Sequence, residues 1–239
     1  MFRRPVDNSA RKLDWISHHD ERSRNYPIRT LVAGLDRPEQ AWWRAPFTRI
    51  DQGREGACVG FAWTNELLSK PVVAGVPRPP DAFALSYYKE AQKIDDWPGE
   101  DYEGTSVLAG AKIAKALGYI SEYKWAFGIE DTLNALAFTG PVVIGIPWYE
   151  GMYQTTPDGL VVVSGKLVGG HAITLTGYGR RRFRTGEFDV VRWRNSWGRT
   201  YGKRGDGYIK VDDLAALLKK DGEACIPMGR KSITAQNFG

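Results

Sequence analysis

Two cysteines and three histidines are the only thiols and near-neutral bases in the 239-residue chain, and two of these five stand where chemistry is plausible. Cys58 follows the turn Asp51-Gln52-Gly53-Arg54-Glu55-Gly56-Ala57 and opens a strongly apolar helical stretch. A thiol at a helix start feels the positive end of the dipole and nearby backbone N–H groups, which favour the nucleophilic thiolate. Such a nucleophile needs a base, and the base needs a third group to orient it. His18 and His19 lie in a charged N-terminal stretch, a poor setting for a rigid site. His171 follows Gly169-Gly170 and opens the apolar run Ala172-Ile173-Thr174-Leu175. Glycines beside a histidine let another backbone come close. Downstream, Asn195 offers a carboxamide that can accept from the imidazole N–H, with Trp197 placed to cover that bond. Singly these signals are weak, since a lone buried Cys is more often inert and a strand-start His more often structural. Only their joint occurrence points to chemistry.

The elements that must hold these groups are legible in outline. Cys58 to Lys70 reads as a helix apolar on most faces, and therefore buried. Pro71–Pro80, with four prolines, reads as a loop. Thr105 to Leu117 reads as a second helix, capped by Thr105 or Ser106 and closed by Gly118. After Gly140 come short β-rich runs separated by Gly-rich turns: Val142–Ile146, Leu160–Val163, Ala172–Gly177, Phe188–Arg194 and Gly207–Val211. A last short helix is expected from Asp212 to Lys219. Helices first and strands after imply an α+β fold with segregated halves, and a cleft between such halves is a natural site.

Composition narrows the setting. The apolar share of 42% and aromatic share of 12% suffice for a packed interior, and no run reaches the roughly 18 apolar residues of a membrane helix. The net charge of +5 is peripheral. Residues 1–30 carry seven Lys/Arg against four Asp/Glu, and Arg180-Arg181-Arg182-Phe183-Arg184 adds a basic cluster. Solvated charge on a tail and a hairpin is preferred over nucleic-acid contact. Two cysteines without clustered histidines make neither a disulfide framework nor a zinc site. With no signal-like segment, the expected location is cytoplasmic or virion-associated. Residues 1–40 read as a charged extension and 41–239 as the main domain, with a helical half at roughly 58–137 and a β half at roughly 138–228.

The segment from Asp51 to Ala62 resembles the active-site segment of papain and the cathepsins, with Gln52 six residues before Cys58 as in that family. Gly169-Gly170-His171-Ala172 resembles the family's histidine segment. Asn195-Ser196-Trp197-Gly198, followed by Tyr201-Gly202 and Gly205-Asp206-Gly207-Tyr208-Ile209, resembles its asparagine segment, with Tyr201 where Trp is commoner. The resemblance spans roughly Ala41 to Met228. It implies a papain-like two-lobe fold and a cysteine endopeptidase acting on protein or peptide substrates. The implied roles are Cys58 as nucleophile, His171 as base and then acid in an ion pair with Cys58, Asn195 as its orienter, and Gln52 with the Cys58 N–H as oxyanion hole, with no metal or organic cofactor needed. Gly104 is similar to a glycine that meets the substrate backbone. Val107, Ile144, Gly169 and Ala172 would then line an apolar pocket for the second residue upstream of the cut.

The departures suggest a bacterial or bacteriophage-type member without disulfides or a long propeptide. Glu55 stands where secreted relatives carry a disulfide cysteine, and some 40 residues precede the domain where they have a propeptide of about a hundred. Of those residues, Tyr26-Pro27-Ile28 is apolar enough to suggest a cleft-filling piece. Cys58 to His171 is shorter than the roughly 130 residues or more usual in papain and cathepsins, so loops at the cleft must differ. Two rivals remain open: a catalytically idle papain-like binding or assembly protein, and an amidase acting on cell-wall peptides.

Overall fold

Apolar runs separated by turns give the chain its alternating elements, and the computed structural model describes them for residues 7–97 and 102–233. In chain order they are α1 (Arg29–Val32), β1 (Ala41–Trp42), α2 (Cys58–Leu67), α3 (Pro80–Ile94), α4 (Val107–Ala116), β2 (Glu122–Ala126) and α5 (Ile129–Phe138). Then follow β3 (Val142–Tyr149), β4 (Leu167–Phe183), β5 (Gly186–Arg194), β6 (Asp206–Lys210), α6 (Val211–Lys219) and β7 (Glu223–Met228). One antiparallel sheet runs β2-β7-β3-β4-β5-β6, with β1 added to β4. The fold is α+β, helices packed against a β-rich half.

Every residue of α2 is buried, as its all-round apolar character requires. It lies on β4, where the Thr174 hydroxyl donates to Ala62 O at 2.6 Å. Contact with α3 is close enough that a Cβ at Gly60 would stand 2.3 Å from Ala84 O. In β3 the side chains alternate between two cores, as the two-residue period of a strand dictates. Val143 joins the helical side with Trp63 and Val107, whereas Ile144 and Ile146 join Trp148, Trp193 and Leu214 on the far side.

Several elements differ from the sequence expectation. α4 starts two residues late: Ser106 caps it by accepting from Ala109 N at 3.0 Å, and Thr105 is extended instead. Leu160–Val163 is no regular strand, because only isolated bridges hold it, Leu160 to Tyr208 and Val161 to Thr155. β2, α3, α5 and β7 add to the expected set, and β2, inside the range read as the helical half, pairs with β7 in the sheet. Tyr26-Pro27-Ile28 does not fill a cleft. It extends the sheet edge, with Ile28 N donating to Trp125 O at 2.8 Å and Trp125 N to Tyr26 O at 2.9 Å, and Ile28 is fully buried. The segment that does cross between the halves is residues 11–16.

Candidate active site

Three elements carry the expected triad. Cys58 lies in the apolar cluster that holds Ala172, the residue after His171, while His171 Nδ1 is buried with no hydrogen-bond partner among the described residues. Cys58 is the first residue of α2, His171 stands on β4, and Asn195 follows β5. His171 Nε2 and Asn195 Oδ1 are 2.9 Å apart, so the amide oxygen accepts from the imidazole N–H. Both side chains are buried. Trp197 lies 4.9 Å from the imidazole, ring centre to ring centre, and Trp148 meets it edge-on at 4.7 Å. The expected indole cover is therefore double, and its Trp148 half escaped sequence reading although it sits in an apolar strand. Neighbouring Ser196 ties the site together. Its Oγ donates to Gln52 Oε1 at 2.5 Å, and Gln52 N donates to Ser196 O at 2.9 Å. With its oxygen held this way, Gln52 turns its NH₂ toward Glu55 O at 2.8 Å and Lys12 O at 3.2 Å.

Lys12 belongs to a strap. Arg11 pairs with Asp51 and donates to Gly53 O at 2.8 Å, and Lys12 pairs with Glu103. Thr105 N donates to Asp14 O at 3.2 Å, Trp15 N to Gly170 O at 3.0 Å and Ile16 N to Thr105 O at 3.1 Å. The strap fits because its seat is made of glycines. A Cβ at Gly104, whose φ is +101°, would stand 2.2 Å from Asp14 O, and one at Gly169 would stand 3.1 Å from Leu13. Trp15 enters the apolar cluster that includes Cys58, Val107 and Ala172. Of the expected substrate-binding residues, Val107 and Ala172 share a cluster with the buried indole, and Gly104 and Gly169 bear on the strap. Ile144 does not belong. It points to the opposite face of β3, and its neighbour Gly145 opens the space, a Cβ there falling 2.1 Å from the Trp15 ring. The error is one residue in a two-residue period.

Burial shifts both the thiol and the imidazole toward their neutral forms. Burial pushes the Cys58 thiol up to about 12, although backbone hydrogen bonds from Ala172, Asp14 and Val59 pull the other way. Burial also lowers His171 to about 4, against the opposing bond to Asn195. Burial thus favours the neutral thiol and the neutral imidazole over the ion pair that the family resemblance implies, because desolvation disfavours both charges. Cys225, on β7, is also free and buried, and burial raises its thiol well above the ordinary range. It has no imidazole beside it among the causes of that shift.

A helix-borne thiol and a strand-borne imidazole held by a carboxamide, set where helices pack on a sheet, are the elements of the papain-like class of thiol peptidase. The sequence profile described as papain family cysteine protease matches residues 81–223, and the chain belongs to that family. It is accordingly a cysteine peptidase, a hydrolase of protein or peptide substrates. The match takes in His171 and Asn195, while Gln52 and Cys58 precede it. Among solved structures, xylellain, a cysteine protease from Xylella fastidiosa, has a TM-score of 0.64 at 19% identity over 97% of this chain and 100% of its own. Procathepsin B S9 from Trypanosoma congolense has a TM-score of 0.62 at 13% identity, covering 94% of this chain and 88% of its own. Procathepsin L 3 of the Tenebrio molitor larval midgut has a TM-score of 0.57 at 14% identity, covering 94% and 76%. At these identities the likeness is one of fold. No curated protein sequence matches the chain.

Proposed function

We propose that the chain is an endopeptidase in which Cys58 is the nucleophile, His171 the base and acid, Asn195 the orienter and Gln52 an oxyanion donor. Cys58 sulfur attacks the scissile carbonyl carbon, the C–N bond breaks, and His171 passes the thiol proton to the leaving amine. Water, deprotonated by His171, then attacks the thioester, releasing the acid and restoring the thiol. Gln52 Nε2 and the Cys58 N–H would hold the oxygen as negative charge develops on it. The observation that carries this reading is the buried 2.9 Å bond between His171 and Asn195 beneath two indoles, with Ser196 fastening Gln52 beside it.

The chain as folded is the resting form of this peptidase. The Lys12 carbonyl takes the Gln52 donor, while Trp15, three residues later, fills the pocket expected to receive a residue upstream of the cut. A substrate would fill that pocket with an earlier residue, so the strap backbone runs in the opposite direction, which accounts for an intact chain lying in its own site. Activity therefore requires the strap to leave. Hydrolysis of an unfolded protein such as casein by the full-length W15A chain tests the proposal. Cleavage that disappears in W15A/C58A supports it. Cleavage that persists without the thiol, or a folded W15A chain that reacts with thiol reagents at Cys58 yet cuts no peptide, overturns it.

A further inference from the structure

A buried hydroxyl lies beside the triad. Tyr201 is 1% exposed and meets Trp197 edge-on at 5.2 Å between ring centres. Its hydroxyl donates to Met152 O at 3.3 Å, which leaves the oxygen free to accept. Two N–H groups face that oxygen. Burial, the largest influence, raises the Tyr201 phenol, and side-chain hydrogen bonds from Trp193 and Asn195 pull the other way. Both donors, Trp193 Nε1 and Asn195 Nδ2, are buried and lack a well-aligned partner among the described residues, so the contact is loose in this form. The backbone keeps the two residues together: Gly205 N donates to Tyr201 O at 2.8 Å, and Asn195 N donates to Gly205 O at 3.0 Å.

We propose that Tyr201 is a positioning residue, whose hydroxyl accepts from Asn195 Nδ2 and thereby holds the carboxamide with Oδ1 toward His171. The proposal rests on the peptidase reading and adds a layer behind its imidazole. The other end of the carboxamide is already fixed, since Oδ1 accepts from His171 Nε2 at 2.9 Å and from Ser196 N at 2.7 Å. With Nδ2 unheld, the amide can turn about its terminal torsion, which is broad for asparagine. A turned amide would aim an N–H at the imidazole N–H, donor against donor. An acceptor at residue 201 opposes that turn. Phenylalanine has no oxygen to offer, and the tryptophan commoner at this place in papain and the cathepsins can only donate. Catalytic hydrogen bonds are often long or poorly aligned until substrate is bound, so the bond between Tyr201 and Asn195 tightens in the working form.

The test uses the full-length W15A chain and a quenched fluorescent peptide taken from a casein sequence that it cuts. W15A/Y201F loses one oxygen and keeps the ring. Its kcat is expected to fall roughly 10-fold with KM within about twofold, as for a buried donor left unpaired behind a group that acts in the transition state. The limb of the kcat/KM profile that titrates His171 should move to lower pH, because the Asn195 bond is what opposes burial there. In W15A/N195A the same Tyr201→Phe change should leave kcat where it was, since no carboxamide remains to hold. An unchanged kcat in folded W15A/Y201F, or an equal fall with and without Asn195, overturns the proposal. Should W15A/Y201F not fold, a difluorotyrosine at position 201 keeps the ring and hydroxyl but makes the oxygen a poorer acceptor. There too kcat should fall, and an unchanged kcat overturns the proposal. If W15A cuts the peptide through Cys58 and the changes at Tyr201 do nothing, only the positioning role falls. If the folded W15A chain reacts with iodoacetamide at Cys58 yet cuts no peptide, the catalytic reading falls and the positioning role with it.

Discussion

Replacing Trp15 by alanine removes the largest side chain of the strap. The indole is 7% exposed and makes one buried hydrogen bond, to Glu223. Truncation of a buried Phe or Trp costs about 3–5 kcal/mol. The remaining strap contacts, the Arg11–Asp51 and Lys12–Glu103 pairs and the backbone bonds of residues 14–16, are unaffected. Both ion pairs are partly exposed, so each contributes at most about 1 kcal/mol. If closing the strap and losing Trp15 are coupled one to one, the open population rises by about 10²-fold or more, at a factor of ten per 1.4 kcal/mol. Alkylation of Cys58 passes through the open form, so its rate with iodoacetamide should rise by the same factor until opening is complete. Intact-mass kinetics on both full-length chains at pH 7.5 reads this directly. A W15A chain that stays folded and is alkylated at the wild-type rate would refute a strap held by Trp15.

Three further outcomes follow. In the W15A background, Gln52→Ala should lower kcat for peptide hydrolysis by about 10²–10³-fold with KM little changed, as for loss of one oxyanion donor; an unchanged kcat in steady-state assays would remove Gln52 from the mechanism. Arg230 pairs with the buried Glu66 at 2.7 Å and also donates to Thr139 O and Pro141 O, so Arg230→Met should cost about 3–5 kcal/mol by leaving a carboxylate unpaired. Urea unfolding should show that loss, with part of it recovered in Glu66→Met/Arg230→Met. Glu223 has its carboxyl raised by burial to about 8 from a reference of 4.5, so the folded chain holds a proton there that the unfolded chain has released. That contribution is present below about pH 4.5 and is lost as pH climbs through 8. Glu223→Gln lacks it, and the melting temperature of E223Q relative to wild type should rise from pH 5 to pH 8. A difference independent of pH would contradict the burial of that carboxyl.

The catalytic candidates were legible because their chemistry demands rare residue types in a fixed order. Gln52, Cys58, His171 and Asn195 could be picked out by spacing and by the glycines and indole around them, and the fold brings His171 to Asn195 and Gln52 to Ser196. The elements holding them were readable where apolar periodicity was strong, as in α2, β4 and β5. α3 was hidden behind a proline run, although Pro80 at its first turn is a helix-start signal and Phe83, Ala84, Tyr87, Tyr88 and Ala91 line one buried face. β7 carries Pro227, which argues against an interior strand. The structure accommodates it because β3 pairs only with residues 223–225, leaving Pro227 opposite Tyr123 alone.

What stayed hidden was long-range. Nothing local marks Trp15 as the anchor of a strap, since it is a single aromatic in a charged stretch, whereas Tyr26-Pro27-Ile28 offered a denser apolar cue and went to the sheet edge. Glu223 follows a turn glycine and reads as surface charge until its partner 208 residues away is known. The Cys58 thiolate looked favoured because helix position is local, whereas the burial that raises the thiol arises only in the folded surroundings. Ile144 was misplaced because the strand was known and its facing was not.

On the proposed mechanism, Cys58 is a nucleophile made reactive by His171. Intact-mass analysis of the full-length W15A chain treated with a dipeptidyl epoxide at pH 6.5 tests it most directly. One adduct per chain is expected, located on Cys58 by peptide mapping, with labelling about a hundredfold slower or more in W15A/H171A, within the range of about 10²–10⁴ for a lost general base. Adducts on Cys225, or equal labelling with and without His171 in folded protein, would contradict it.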